Sequence, residues 1–216
     1  MTHPVTYPMT YPMTYPMTHP MNTLHRRRLV LAVALWPTLA ALAPNAFAQA
    51  PSAVGAPAEV VAEVPGARLL GDGTLRFMGL RVYDGRLWVG ASAPGSDWQA
   101  TPLSLELQYQ RNLKGELIAE RSLKEMRRQG AIDDVTAERW LVSLKQLLPD
   151  VQPGHRITGV NLPGVGARIF INGQLRGEVR EVDFARYFFG IWLSPRTSEP
   201  AMREQLLGLN AARPAS

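Results

Sequence analysis

The 216-residue chain has no cysteine, and that absence excludes a large body of chemistry. Thiolate nucleophiles, iron–sulfur clusters, cysteine-ligated zinc and disulfide-stapled scaffolds all need it. Histidine is nearly as scarce. Three of the four (His3, His19, His25) fall at the start of the chain, so His155 stands alone in the rest. One histidine, in the loop Pro153-Gly154-His155, cannot build a three-ligand metal site, and no HExxH motif or paired-aspartate cluster assists it. Without a Gly-x-Ser-x-Gly elbow it has no serine partner either, and it reads as a surface residue. Gly71-Asp72-Gly73 is not followed by a helix start or by Lys-Ser/Thr, so it is no phosphate loop and reads as glycines opening a hairpin. No metal or cofactor is expected. A dominant charge sign is missing too. The chain counts 23 basic against 18 acidic residues, but residues 1–48 hold Arg26, Arg27 and Arg28 and no acid, so the remainder is nearly balanced at 20 against 18. That balance gives no reason to expect nucleic acid as a partner.

What the chain does have begins with a leader. Residues 2–21 are five tetrapeptides: Thr-His-Pro-Val, three copies of Thr-Tyr-Pro-Met, and Thr-His-Pro-Met. Proline every fourth residue forbids a helix or central strand, and such a repeat builds no core. It reads as a tandem repeat upstream of a true start at Met21, the alternative being a Tyr/Pro-rich recognition arm. From Met21 the order is that of a secretory signal: the arginine triplet, an apolar run over residues 29–42, then Ala46-Phe47-Ala48. Cleavage is expected between Ala48 and Gln49. The apolar run is shorter than the ~20 residues that span a bilayer, so a retained anchor is the lesser reading and no span is expected after signal removal. General secretion fits better than the twin-arginine route, because no cofactor motif calls for folded export, and the expected compartment is the periplasm.

The mature chain would be residues 49–216, with a linker over 49–58 and one domain over 59–210. Leu103, Leu105, Leu107 and Tyr109 alternate with polar residues, which predicts a strand with one buried face. Strands are also expected at 68–70, 74–78, 80–89, 156–162 and 167–172, and Asn172-Gly173 predicts a type I′ hairpin turn. Apolar residues at three- and four-residue spacing predict helices over 113–129, from an Asp133 or Asp134 cap to Pro149, over 181–193, and over about 199–209, with a Thr197 or Ser198 cap. Arg127, Arg128, Glu116, Glu120 and Glu125 read as the solvated face of the first. The fold class is α+β, an antiparallel sheet with helices on one face.

Arg76, Arg81 and Arg111 stand out because they interrupt apolar strands. Each either faces water or is paired, since a buried unpaired charge is too costly. They are candidates to grip a carboxylate with two parallel hydrogen bonds, with Tyr83 and Tyr109 as neighbouring hydroxyls.

These residues sit in a familiar order. Residues 71–83 (GDGTLRFMGLRVY) resemble the opening strands of the chalcone isomerase superfamily. Phe188-Phe189-Gly190-Ile191-Trp192-Leu193, followed by Thr197-Ser198-Glu199-Pro200, resembles its C-terminal helix pair. The likeness is greatest to the bacterial secreted chalcone isomerase-like group and covers about residues 64–207. It implies an open-faced β-sandwich with a ligand cleft between sheet and helices. The superfamily holds plant enzymes that close a chalcone to a flavanone, and non-catalytic fatty-acid-binding members. By this resemblance the enzymes' arginine matches Arg76, their threonine Tyr83, their tyrosine Ile118 and their asparagine Glu125. Only the arginine is kept, and Ile118 and Glu125 offer neither a donor nor a tolerable anion beside a phenolate. The expectation is a periplasmic protein binding a small apolar or carboxylate, fatty-acid-like ligand at Arg76 with Tyr83 beside it. The alternatives are an isomerase of the intramolecular lyase type with another substrate, and a structural module with a filled cleft. The residues leave the oligomeric state open.

Overall fold

The computed structural model describes residues 55–91 and 97–209. The repeat, the signal, the cleavage site and most of the linker lie outside the described residues.

Six strands form one antiparallel sheet in chain order: β1 (Arg68–Phe77), β2 (Leu80–Val89), β3 (Leu103–Tyr109), β4 (Arg156–Leu162), β5 (Gly166–Ile171) and β6 (Gln174–Val179). Five α-helices accompany it: α1 (Ala58–Glu63), α2 (Gly115–Arg127), α3 (Asp134–Leu147), α4 (Val182–Leu193) and α5 (Pro200–Leu206). The α2–α3 pair is inserted between β3 and β4, and α4 and α5 follow the last strand. The hairpin turn at Asn172-Gly173 has φ of 50° and 87°, the doubly left-handed backbone that this dipeptide favours. The Asp133 carboxylate caps α3 by accepting the Thr136 N–H at 3.0 Å.

The period-two pattern places Tyr83, Leu87 and Val89 of β2 beside Leu103, Leu105, Leu107 and Tyr109 of β3 on the main core face. Helix α4 lays Phe184, Phe188, Phe189, Trp192 and Leu193 against that face. The rings of Phe188 and Phe189 lie over Gly159, the one place on β4 where a strand without a side chain lets two aromatics sit directly on the backbone.

Gly71 and Gly73 do not open a hairpin. They lie inside one continuous β1, with a bulge between Leu69 and Gly71. They form a seat for α5, since a Cβ on Gly71 would collide with the carbonyls of Gln205 and Leu206, and one on Gly73 would crowd the Gln205 side chain. The α5 helix is also shorter than its pattern suggests. Its N-cap is Glu199, whose N–H is taken by the Thr197 hydroxyl at 3.1 Å.

The sheet's other face was expected to be solvated, and it is not. Helix α1 is not announced by any apolar stripe, yet it lies across this face, where Val64 packs with Val160 and Phe170. Its Glu59, 5% exposed, accepts from Arg156 at 2.8 Å and from the Thr158 hydroxyl at 3.1 Å. Glu63 pairs with Arg168 at 2.8 Å, and Arg168 also grips Glu178 at 2.7 Å. On β3, Glu106 is as buried as Leu105, both at 2%. Its carboxylate accepts from Trp88 Nε1 at 2.9 Å and Arg86 Nη1 at 3.0 Å. So β3 is covered on both sides, and its polar face is buried because its charges are paired there.

Among the described residues, the sheet, the five helices and the buried hydrophobic core fall between Ala58 and Leu206. This body carries a core of its own, as a domain able to fold alone does. Among the described residues, no helix is long and apolar enough to cross a membrane.

Candidate functional site

Between the sheet and helices α2 and α4 lies a cavity of about 240 Å³. Its floor comes from the core face of the sheet: Tyr83 of β2, Leu107 and Tyr109 of β3, and Ile157 of β4. Leu117 and Ile118 of α2 and Phe188, Ile191 and Trp192 of α4 form the walls, and Leu75 and Val82 close the β1–β2 side. Polar groups enter from Arg121, Ser122 and Glu125 on α2, and from Ser198 and Glu199 ahead of α5.

Two of the five sequence candidates meet here. The Tyr83 hydroxyl accepts the Trp192 Nε1–H at 2.8 Å, which ties β2 to α4. The Tyr109 ring meets it edge-on, with centroids 5.6 Å apart. Burial pushes the Tyr83 phenol far above its ordinary value. The Trp192 hydrogen bond and the Arg121 charge work against that rise, while Glu199 and Glu125 add to it. Burial, then the neighbouring Tyr83, does the same to Tyr109. Both phenols therefore stay protonated at neutral pH and serve as hydrogen-bonding groups, not as phenolates or bases.

The arginines do not join them. Arg76 is exposed and does not line the cavity, although its neighbour Leu75 does. Leu75 faces the cavity, so the strand's regular alternation sends the next side chain, Arg76, to the solvent side. Arg81 is exposed and holds Asp84 through two hydrogen bonds of 2.8 and 2.9 Å. Arg111 is half-buried beyond the end of β3, outside the cavity lining. The reading of Arg76 as a cavity anchor is thus corrected.

The basic residue of the cavity lining is Arg121, which the sequence reading did not single out. Arg121 Nη2 pairs with Glu125 at 2.9 Å, and Arg128 reaches the same carboxylate at 3.3 Å. Glu125 is not on a solvated face, being 6% exposed and directed to the cavity side of α2. One signal did mark it: Glu125 and Ile118 are the positions that the resemblance aligned with enzyme site residues, and both line the cavity together with Tyr83. His155 is half-buried in its loop, and its Nε2 meets Gln152 at 3.1 Å. Among the described residues no three His, Asp or Glu side chains converge to hold a metal ion.

An antiparallel sheet with helices α2–α5 over one face and an apolar cleft between them defines an open-faced β-sandwich with an internal cavity. A family model described as chalcone isomerase-like matches residues 52–208, and the chain belongs to that family. In its fold the chain is similar to the crystal structure of an Arabidopsis thaliana fatty-acid binding protein. The TM-score is 0.55 at 16% identity, covering 68% of this chain and 90% of that one. An uncharacterized protein of Haemophilus influenzae is 27% identical over 107 residues, 50% of this chain and 52% of that protein. The chain spans about half the length of that curated relative.

Proposed function

We propose that the protein binds a small, predominantly apolar ligand in the cavity between the sheet and helices α2 and α4, and that it does not catalyse chalcone cyclisation. The observation that carries this is the cavity itself, an apolar space of about 240 Å³ with polar side chains gathered at one side. Its size lies just below the ~300–1,000 Å³ usual for small-molecule sites, which favours a short ligand. An open cavity speaks against a filled structural module. The similar plant protein is a fatty-acid binding protein, which supports an aliphatic ligand here. The polar side here has its own chemistry. Arg121 is already engaged by Glu125, and Glu199 adds a second carboxylate to the lining. Within the lining one guanidinium stands against two carboxylates, and Arg128, outside it, is spent on Glu125, so a neutral or hydrogen-bond-donating head fits better than the carboxylate that was one of the expectations. Ring closure of a chalcone would place a phenolate beside Glu125, which like-charge repulsion opposes, and neither tyrosine can serve as its base.

The test is displacement of a fluorescent aliphatic probe from residues 49–216 by a fatty alcohol and by the fatty acid of equal length. The alcohol should bind at least as tightly as the acid, and Ile118→Trp, which fills the cavity, should weaken both by more than tenfold. An acid that binds tenfold better than the alcohol, and loses that advantage in Arg121→Ala, would restore the carboxylate reading. Failure of both to displace the probe, or efficient chalcone turnover, would overturn the proposal itself.

The signal-like order of residues 26–48 supports an exported protein, with the periplasm as its compartment. The mature chain should then begin at Gln49 by N-terminal sequencing. A cytoplasmic protein that retains Arg26–Arg28 would refute export.

A further inference from the structure

The three strand arginines and the turn between β1 and β2 are unused by the cavity. Phe77 is 62% exposed, Met78 86% and Leu80 57%, so the hairpin presents consecutive large apolar side chains to solvent around Gly79. Phe77 pairs with Leu80, which leaves Met78 and Gly79 as the two turn residues, with φ of 50° and 79°. The other two-residue hairpin of the sheet fills its first left-handed position with Asn172, the polar residue such a turn favours. At the same position β1–β2 carries methionine, which gains nothing from a left-handed backbone and lies in water. Directly below the tip, Arg76 and Arg81 are paired across the two strands and both exposed. Gln110 donates its N–H to the Val82 carbonyl, which brings Arg111 to the same end of the sheet. Asp84 is the acidic group within this collar, and it engages Arg81. One residue further in from Arg76 and Arg81, Leu75 and Val82 line the cavity, and so does Leu117, itself 60% exposed.

We propose that the Phe77–Leu80 hairpin tip is a membrane-docking element, with its apolar side chains entering the interface of an anionic phospholipid bilayer and Arg76, Arg81 and Arg111 meeting the phosphates. The layering is the argument: an apolar tip, a ring of guanidiniums about one residue behind it, then the cavity wall. That sequence of layers matches hydrocarbon, headgroup and water in order, and charge complementarity selects a lipid surface over a protein groove. It goes beyond ligand binding, because it brings the cavity's β1–β2 side to the bilayer, where an apolar ligand can cross without passing through bulk water.

Co-sedimentation of residues 49–216 with vesicles tests this. Binding is expected to phosphatidylcholine vesicles containing phosphatidylglycerol, and to be much weaker with phosphatidylcholine alone. Phe77→Ser with Met78→Ser should weaken it by about tenfold per side chain. Arg76→Ala with Arg81→Ala should cost about fivefold per arginine, on the anionic vesicles only. Ile118→Trp should leave vesicle binding intact while abolishing probe displacement, which separates this result from the cavity reading. Far-ultraviolet circular dichroism and probe displacement confirm that the tip variants stay folded. A tip variant that binds vesicles like the unaltered chain overturns the proposal, and so does an unaltered chain that binds none. A dimer in analytical ultracentrifugation that the tip variant abolishes would give the patch to a second copy instead.

Discussion

Replacing Glu106 by alanine is expected to destabilise the protein by about 3 kcal/mol or more, in spite of removing a charge from the middle of a sheet. The carboxylate is 2% exposed and is the acceptor for both Trp88 Nε1 and Arg86. Its removal leaves the indole N–H of a side chain only 2% exposed without a partner, and it strands a guanidinium that is 25% exposed. For a domain of this size each kcal/mol moves the melting temperature by roughly 2–4 °C, so a drop of about 6–12 °C should appear in thermal unfolding. Glu106→Gln keeps one acceptor and should recover part of the loss. Glu106→Leu combined with Trp88→Phe and Arg86→Met removes donors and acceptor together, and it should lie closer to the unaltered protein than the single alanine variant does. A single variant within 1 kcal/mol of the parent would mean that water replaces the carboxylate and that the network is incidental.

A second large loss is expected at Phe189, which is completely buried and packs edge-on against Phe188 with centroids 5.4 Å apart. Phe189→Ala should cost about 3–5 kcal/mol, the range for removing a buried ring and leaving its space unfilled. The glycine beneath it supplies a sharper criterion. A Cβ on Gly159 would stand 3.2 and 3.3 Å from the Phe189 ring, so Gly159→Ala alone should destabilise by overpacking. In the Phe189→Ala background the same methyl enters vacant space and should be neutral or stabilising. Urea titration of the four proteins would give a coupling of at least ~0.5 kcal/mol. Additive losses would show that α4 shifts to close the gap and that ring and glycine do not act as a pair.

These two sites also show what the sequence could and could not express. Alternation over Leu103–Tyr109 identified the core face correctly, because a strand's period is local and one face is enough to reveal it. Asn172-Gly173 gave its hairpin for the same reason: two adjacent residues decide the turn. Glu106 could not be read, since both its partners, Trp88 and Arg86, are on another strand. Pairing across 97 positions, as between Glu59 and Arg156, leaves no local trace at either end. The candidate site divides in the same way. Tyr83 and Tyr109 were found because they sit on the apolar face of recognisable strands. Arg121 and Glu125 were hidden because on α2 they look like any solvated ion pair, and only the packing of α4 turns that side of the helix inward. Arg76 was misplaced because its match rested on the resemblance, while alternation along β1 gives the cavity to its neighbour Leu75.

The position of α4 and α5 at the end of the described chain has a consequence for its history on the ribosome. Phe184, Phe188, Phe189, Trp192, Met202 and Leu206 all belong to the one core cluster that covers the first three strands. Until those residues have emerged, α2 and α3 cover the apolar face of β1, β2 and β3 only in part, and the area that α4 and α5 take stays open. At ~5–20 residues per second, the interval between completing β3 and completing α5 lasts several seconds. Throughout that interval the nascent polypeptide exposes that part of its apolar face. The last turns of helix to be made close that face and end the window.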